Sequence, residues 1–162
     1  MNVFMRTENL SIDKSRELYN LLRGFVLNSE SHEYDSGSYL DEKNYPVSEE
    51  DKNKFTYERT EIKYKNINGK EIIIRTYKGH HYSRGTKYGL QDNPSYQATI
   101  YTKRESNYGS NSEYELWSVT FSDIPYMHYG LATSSELPLD LIMPANMNEE
   151  QLTELMKVKV KN

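Results

Sequence analysis

The sequence predicts a single α+β domain: an antiparallel sheet of four or more strands built from two hairpins, an N-terminal helix packed on one face, and a short C-terminal helix. Three observations carry this expectation. An apolar stripe at helical spacing follows a capping serine near the start, the dipeptide Asn68-Gly69 joins two β-rich runs, and a second pair of alternating runs ends in EYELWSVTFS.

Taking the elements in order, Val3 and Met5 alternate with Phe4 and Arg6 as in a short strand. Ser11 then precedes Ile12, Leu18, Leu21, Leu22, Phe25 and Val26, which recur every three or four residues and so line one side of a helix. Residues 28–53, rich in Ser, Asp, Glu and Gly, have no such period and read as a long polar loop. In FTYERTEIKYKNINGKEIIIRTYKG, Asn68-Gly69 suits the two positive-φ positions of a type I′ turn. A two-residue loop there sets Ile67 opposite Lys70, Tyr64 opposite Ile73 and Ile62 opposite Arg75. Ile62, Tyr64 and Ile73 then share one face, Ile72 and Ile74 take the other, and the second strand is central to the sheet.

The second hairpin pairs SYQATIYTKR with EYELWSVTFS, with Trp117, Val119 and Phe121 turned inward. The proline-containing stretch after Asp123 reads as loop with one or two short edge strands. Asn148, with Gln151 three residues on, starts a last helix carrying Leu152, Leu155 and Met156, and the tail KVKVKN is expected to fray.

Composition narrows the chemistry. At 162 residues the chain can bury a core without a covalent staple, and no domain boundary or repeat interrupts it. There is no cysteine, which rules out disulfides, thiolate metal ligands and thiol catalysis and suits a reducing compartment. No apolar run has the length of a signal peptide or membrane helix, and the mean hydropathy is −0.88, so a cytoplasmic protein with no membrane partner is expected. Fifteen tyrosines supply surface that packs and hydrogen-bonds at once. Neither a P-loop, a GxSxG elbow, a GxGxxG after a strand nor HExxH is present, and no metal or cofactor is expected.

Charge is segregated along the chain. Residues 29–61 carry ten acidic groups against four basic, residues 62–104 nine basic against Glu71 and Asp92, and residues 105–154 nine acidic and no basic. Within the basic stretch, KGHHYSRGTKYG (78–89) lacks any carboxylate. The pattern predicts a small non-catalytic binding protein, of the antagonist or sequestering type found on phages and mobile elements, that engages an anionic partner through residues 62–104. The partner is a nucleotide, a nucleic acid or an acidic protein surface. His80, His81, Tyr82, Arg84, Lys87 and Tyr88 are its expected contacts, with Lys63, Lys65, Arg75 and Arg104 as a supporting field.

Two other readings compete. A metal-independent phosphodiesterase or ribonuclease would use His81 or His128 as acid, Arg84 or Arg104 on the developing charge, and Glu113 or Glu115 as base. His81-Tyr82-Ser83 has the H-x-S/T form of one half of a two-histidine phosphoesterase site, but His128-Tyr129-Gly130 lacks the hydroxyl the other half needs. Alternatively, the carboxylates of 29–61 and 105–154 imitate a nucleic-acid backbone and block a basic cleft on a target protein.

Overall fold

A computed structural model of the chain describes residues 7–38, 56–81, 93–105, 111–124 and 127–157. Among the described residues, seven strands form one antiparallel sheet, and three helices accompany it. The strands are β1 (Glu8–Asn9), β2 (Glu33–Ser38), β3 (Thr56–Lys65), β4 (Glu71–His81), β5 (Asn93–Glu105), β6 (Asn111–Ile124) and β7 (Met127–Ala132). The helices are α1 (Ile12–Leu27), α2 (Leu139–Ile142) and α3 (Glu149–Lys157). Sheet order is β1-β7-β6-β5-β4-β3-β2, so β2 through β7 form a meander in which each strand pairs with its sequence neighbour. The strand pairs expected at Asn68-Gly69 and at 105–112 are β3–β4 and β5–β6, four strands of this longer meander.

Helix α1 begins where Ser11, extended at φ −62° and ψ 154°, accepts a hydrogen bond on its Oγ from the Lys14 amide (3.1 Å). Its apolar stripe is buried in one cluster with Ala98, Val119 and the row Ile62/Ile74/Ile100/Trp117, and Thr60 and Thr76, in the row of Ala98 and Val119, are buried as well. Each fully buried aliphatic or aromatic side chain contributes about 1.5–3 kcal/mol, so this layer dominates the stability of the fold. The expected capping box of the last helix is present. Gln151 Oε1 accepts from the Asn148 amide (3.0 Å) and Asn148 Oδ1 accepts from the Gln151 amide (2.9 Å). The two long helices meet closely, since a Cβ on Gly24 would lie 2.6 Å from the Met156 carbonyl oxygen. Asn28 Nδ2 ties their ends together by donating to the Leu155 carbonyl (2.8 Å).

The β3–β4 turn differs from the expected one. Gly69 has φ +79°, but the loop contains three residues, with the Asn66 amide donating to the Lys70 carbonyl (2.9 Å). The three-residue loop moves the register by one, so that Tyr64 faces Ile72 and Ile62 faces Ile74. Ile62, Tyr64, Ile72 and Ile74 therefore share the α1 face, and Ile73 turns to the other. The cause is Asn66. Buried at 1% exposure, it accepts from the amides of Asn68 and Lys70 (2.9 Å each) and donates from Nδ2 to the Leu141 carbonyl (2.8 Å). These bonds close the wider loop and dock it on α2, to which Tyr64 also donates through the Ile142 carbonyl (2.5 Å).

Other expectations need correction. Six residues of the 28–53 segment read as loop form strand β2, paired residue for residue with β3. Its sequence, EYDSGS, is largely exposed and has no inward side to write an apolar alternation, so backbone pairing alone makes the strand. Strand β7 lies inside the sheet between β6 and β1, not at an edge. The strand expected around Val3–Met5, residues 39–53 and the tail beyond Lys157 lie outside the described residues. Among the described residues, no helix is long and apolar enough to cross a membrane.

Candidate functional site

Alternation along the strands fixes what the second sheet face presents. With Ile72 and Ile74 turned to α1, the odd-numbered residues of β4 and their register partners point the other way. Across β3, β4 and β5 this open face runs in rows: Arg59, Tyr77 and Gln97; Glu61, Arg75 and Thr99; Lys63, Ile73 and Tyr101. Strand β2 adds Asp35 beside Arg59 and Glu33 beside Glu61. An antiparallel sheet can leave one face to solvent in this way, and here that face carries rings and charges in place of a second apolar layer.

The rings lean over backbone that carries no side chain. The Tyr57 ring approaches Gly37 across the strand pair, and the Tyr77 ring lies along β4 against Gly79, where any Cβ would collide with it. Arg59 sits with its Cζ 4.8 Å from the Tyr57 ring centre and 5.7 Å from that of Tyr77. Arg75 lies 5.0 Å over the Tyr101 ring. Such stacking holds a guanidinium's plane while leaving its edge N–H groups able to donate. Between these groups is a concavity of about 710 Å³, bordered by Tyr34, Arg59, Tyr77, Gln97, Thr99 and Tyr101. Its size falls within the roughly 300–1,000 Å³ usual for small-molecule sites.

Carboxylates answer most of the cations here. Arg75 donates through both terminal nitrogens to Glu113 (2.5 and 2.7 Å) and through Nε to Glu61 (3.2 Å). Lys63 lies 3.4 Å from Glu61, and Lys103 lies 4.0 Å from Glu71, the residue paired with Lys65. Arg59 is less committed, with 55% of its side chain exposed and Asp35 at 4.0 Å. Sequence segregation of charge thus becomes interleaving in space. Acidic β2 and β6 flank β3, β4 and β5, and Glu61 and Glu71 lie among the cations of those three strands, so the described cations do not gather into one positive field. Lys78 is on the α1 side, 5.8 Å from the Tyr96 ring.

The bidentate bond from Arg75 holds the Glu113 carboxyl below the ordinary glutamate value of 4.5, and Glu113 in turn pushes the guanidinium further up. A carboxylate with a depressed folded pKa stabilises above its unfolded value, and that contribution is lost as pH falls through the folded value. Carboxyl-detected NMR titration is expected to show Glu113 titrating below 4.5 in the wild type and close to 4.5 after Arg75→Gln. An unchanged midpoint in that variant would show that the pair does not set it.

Of the other expected site residues, His80 and His81 close β4 in register with Pro94 and Asn93, and Arg104 faces Ser112 in the β5–β6 register. Tyr82, Arg84, Lys87 and Tyr88 lie outside the described residues. His128 Nδ1 is 3.0 Å from Asp123, which also accepts from Arg16 (2.8 Å). Asp123 and Glu115 are eight residues apart on β6 (115 to 123), about 26 Å at roughly 3.3 Å per residue, so His128 and Glu115 are not brought together on one substrate bond. Among the described residues, no three His, Asp or Glu side chains converge to hold a metal. Arg59, Tyr77 and Tyr101 were not singled out by sequence reasoning, although YERTEIKYK and IIIRTYKG each place a ring and a guanidinium two residues apart, Tyr57 with Arg59 and Arg75 with Tyr77. Comparison of the chain with family models, curated proteins and solved structures returns no match.

Proposed function

We propose that this is a small non-catalytic binding protein of the sequestering type, working in the cytoplasm and taking an anionic partner on the open face of β2–β5. The observation that carries the reading is Arg59: a half-exposed guanidinium held between two tyrosine rings at the edge of a concavity, with Asp35, at 4.0 Å, the nearest carboxylate among the described residues. A preoriented guanidinium binds phosphate or carboxylate through paired N–H groups at little further ordering cost. Tyr77 and Tyr101 offer surfaces on which a ring can stack. The basic stretch 62–104 contributes Arg75 and Tyr101 to this face, and His80, His81, Tyr82, Arg84, Lys87 and Tyr88 belong to the same proposal as the continuation of β4 and the segment after it.

The test compares tagged wild type with Arg59→Ala and Tyr77→Ala, each verified as folded by circular dichroism, in pull-downs from native cells with mass spectrometry of retained proteins and small molecules. Each variant is expected to lower retention of the specific component at least tenfold, equivalent to about 1.4 kcal/mol. Equal retention by wild type and both variants would remove the open face from the account.

A further inference from the structure

Resting on that binding reading, we infer that the ligand is a compact, ring-bearing molecule with a single anionic group, of the size and chemistry of a nucleoside monophosphate, and not a nucleic-acid strand. The charge lining the concavity decides between the two. Among the described residues, Glu33, Asp35 and Glu61 border it together with Arg59 and Arg75, three carboxylates against two guanidiniums. A chain of phosphates crossing this surface meets at least as many like charges as opposite ones. A single phosphate or carboxylate can settle on Arg59 and keep the rest of the ligand away from the acids.

Arg75 is already engaged. Glu113 occupies its terminal nitrogens and Glu61 its Nε, so a second anion has to displace a carboxylate held by two short bonds. Lys63 and Lys103 beyond it lie near Glu61 and Glu71. Binding along a strand of nucleic acid requires a positively charged groove that follows the backbone, and its affinity falls steeply with salt because one counterion is released per phosphate neutralised. The described open face does not continue as such a groove.

The remaining chemistry suits a ring with polar substituents. Tyr77 and Tyr101 place two rings on the border of one concavity. Glu33 and Asp35 are acceptors for sugar hydroxyls or ring amines, while Gln97 and Thr99 place an amide and a hydroxyl 3.5 Å apart between β4 and β6. Carboxylates that repel a polyanion are useful acceptors for a ligand rich in O–H and N–H groups. The two properties identify the same ligand class.

The experiment is isothermal titration calorimetry of the full chain with adenosine monophosphate, uridine monophosphate, the matching nucleosides, inorganic phosphate, and a single-stranded oligonucleotide of each base, over a range of salt. At least one monophosphate is expected to bind at least tenfold more tightly than its nucleoside and than phosphate alone, with a shallow salt dependence, because a single phosphate carries no layer of condensed counterions to release. Arg59→Gln is expected to reduce that affinity to the nucleoside's level. The double substitution Glu33→Gln, Asp35→Asn is expected to raise oligonucleotide affinity at least tenfold. An oligonucleotide binding more tightly than any monophosphate, with a steep salt dependence, overturns the inference while leaving the open face as a binding surface. A nucleoside binding as tightly as its monophosphate overturns the anionic requirement. Absence of binding by every probe to folded protein overturns the inference, while the reading on which it rests stands or falls with the pull-down on Arg59→Ala and Tyr77→Ala.

Discussion

Phe121→Ala is expected to lower the free energy of unfolding by about 3–5 kcal/mol, read as a fall in the denaturant midpoint at constant slope. Phe121 is 2% exposed and lies where α1 crosses β5 and β6. Its ring stacks on Tyr96 at 4.5 Å with 2° between planes, meets the Tyr19 ring edge-on at 5.7 Å, and lies 5.6 Å from the Arg16 guanidinium. Truncation removes the transfer energy of a benzyl group and leaves a cavity whose walls are two rings fixed by other neighbours, so little relaxation is available. Phe121→Leu keeps most of the volume and is expected to cost less than half as much. A loss below about 1 kcal/mol for the alanine variant would mean that the α1–sheet layer is not the main source of stability.

Arg23→Met is expected to cost about 3–5 kcal/mol, because it strands a carboxylate in a low-dielectric environment. Arg23 donates to both oxygens of Glu58 (2.8 to 3.3 Å), and the pair joins α1 to β3 with the two side chains only 17% and 12% exposed. Burying both charges has already cost desolvation, so the pair adds little over an apolar replacement of similar shape. Removing one member is far more costly than removing both. Lys78, the register partner of Glu58, moderates the loss toward the lower value. The double variant Arg23→Met, Glu58→Leu is therefore expected to regain most of the stability lost by Arg23→Met, giving a coupling energy in a double-mutant cycle of at least about 1.5 kcal/mol. Additive effects of the two substitutions would contradict this account of the pair.

What the sequence made legible is what local chemistry dictates. The capping serine and apolar stripe of α1, the capping box of α3, and the inward Trp117, Val119 and Phe121 are all written within a few residues of where they act. The register of β3–β4 was not legible, because a buried Asn66 bonded to α2 selects a three-residue loop, and α2 lies more than 70 residues further along the chain. Strand β2 was hidden because an exposed edge strand needs no apolar alternation. The proposed binding face was partly legible. Residues 62–104 do supply Arg75 and Tyr101, but counting charge along the chain cannot reveal that Glu61 from β3 and Glu113 from β6, beyond β5, bind the same guanidinium. Arg59 falls in a stretch that is acidic by count, yet it is the least neutralised arginine on the described open face.

The most direct test of the open face as the working surface is a heteronuclear NMR titration of the labelled full chain with uridine monophosphate and adenosine monophosphate. Saturable shift changes centred on Arg59, Tyr77, Gln97, Thr99 and Tyr101, with α1 and α3 unmoved, are the expected result. Changes centred on α3, on the Asp123–His128 pair or on the α1 side of the sheet, with the open face unmoved, would contradict it.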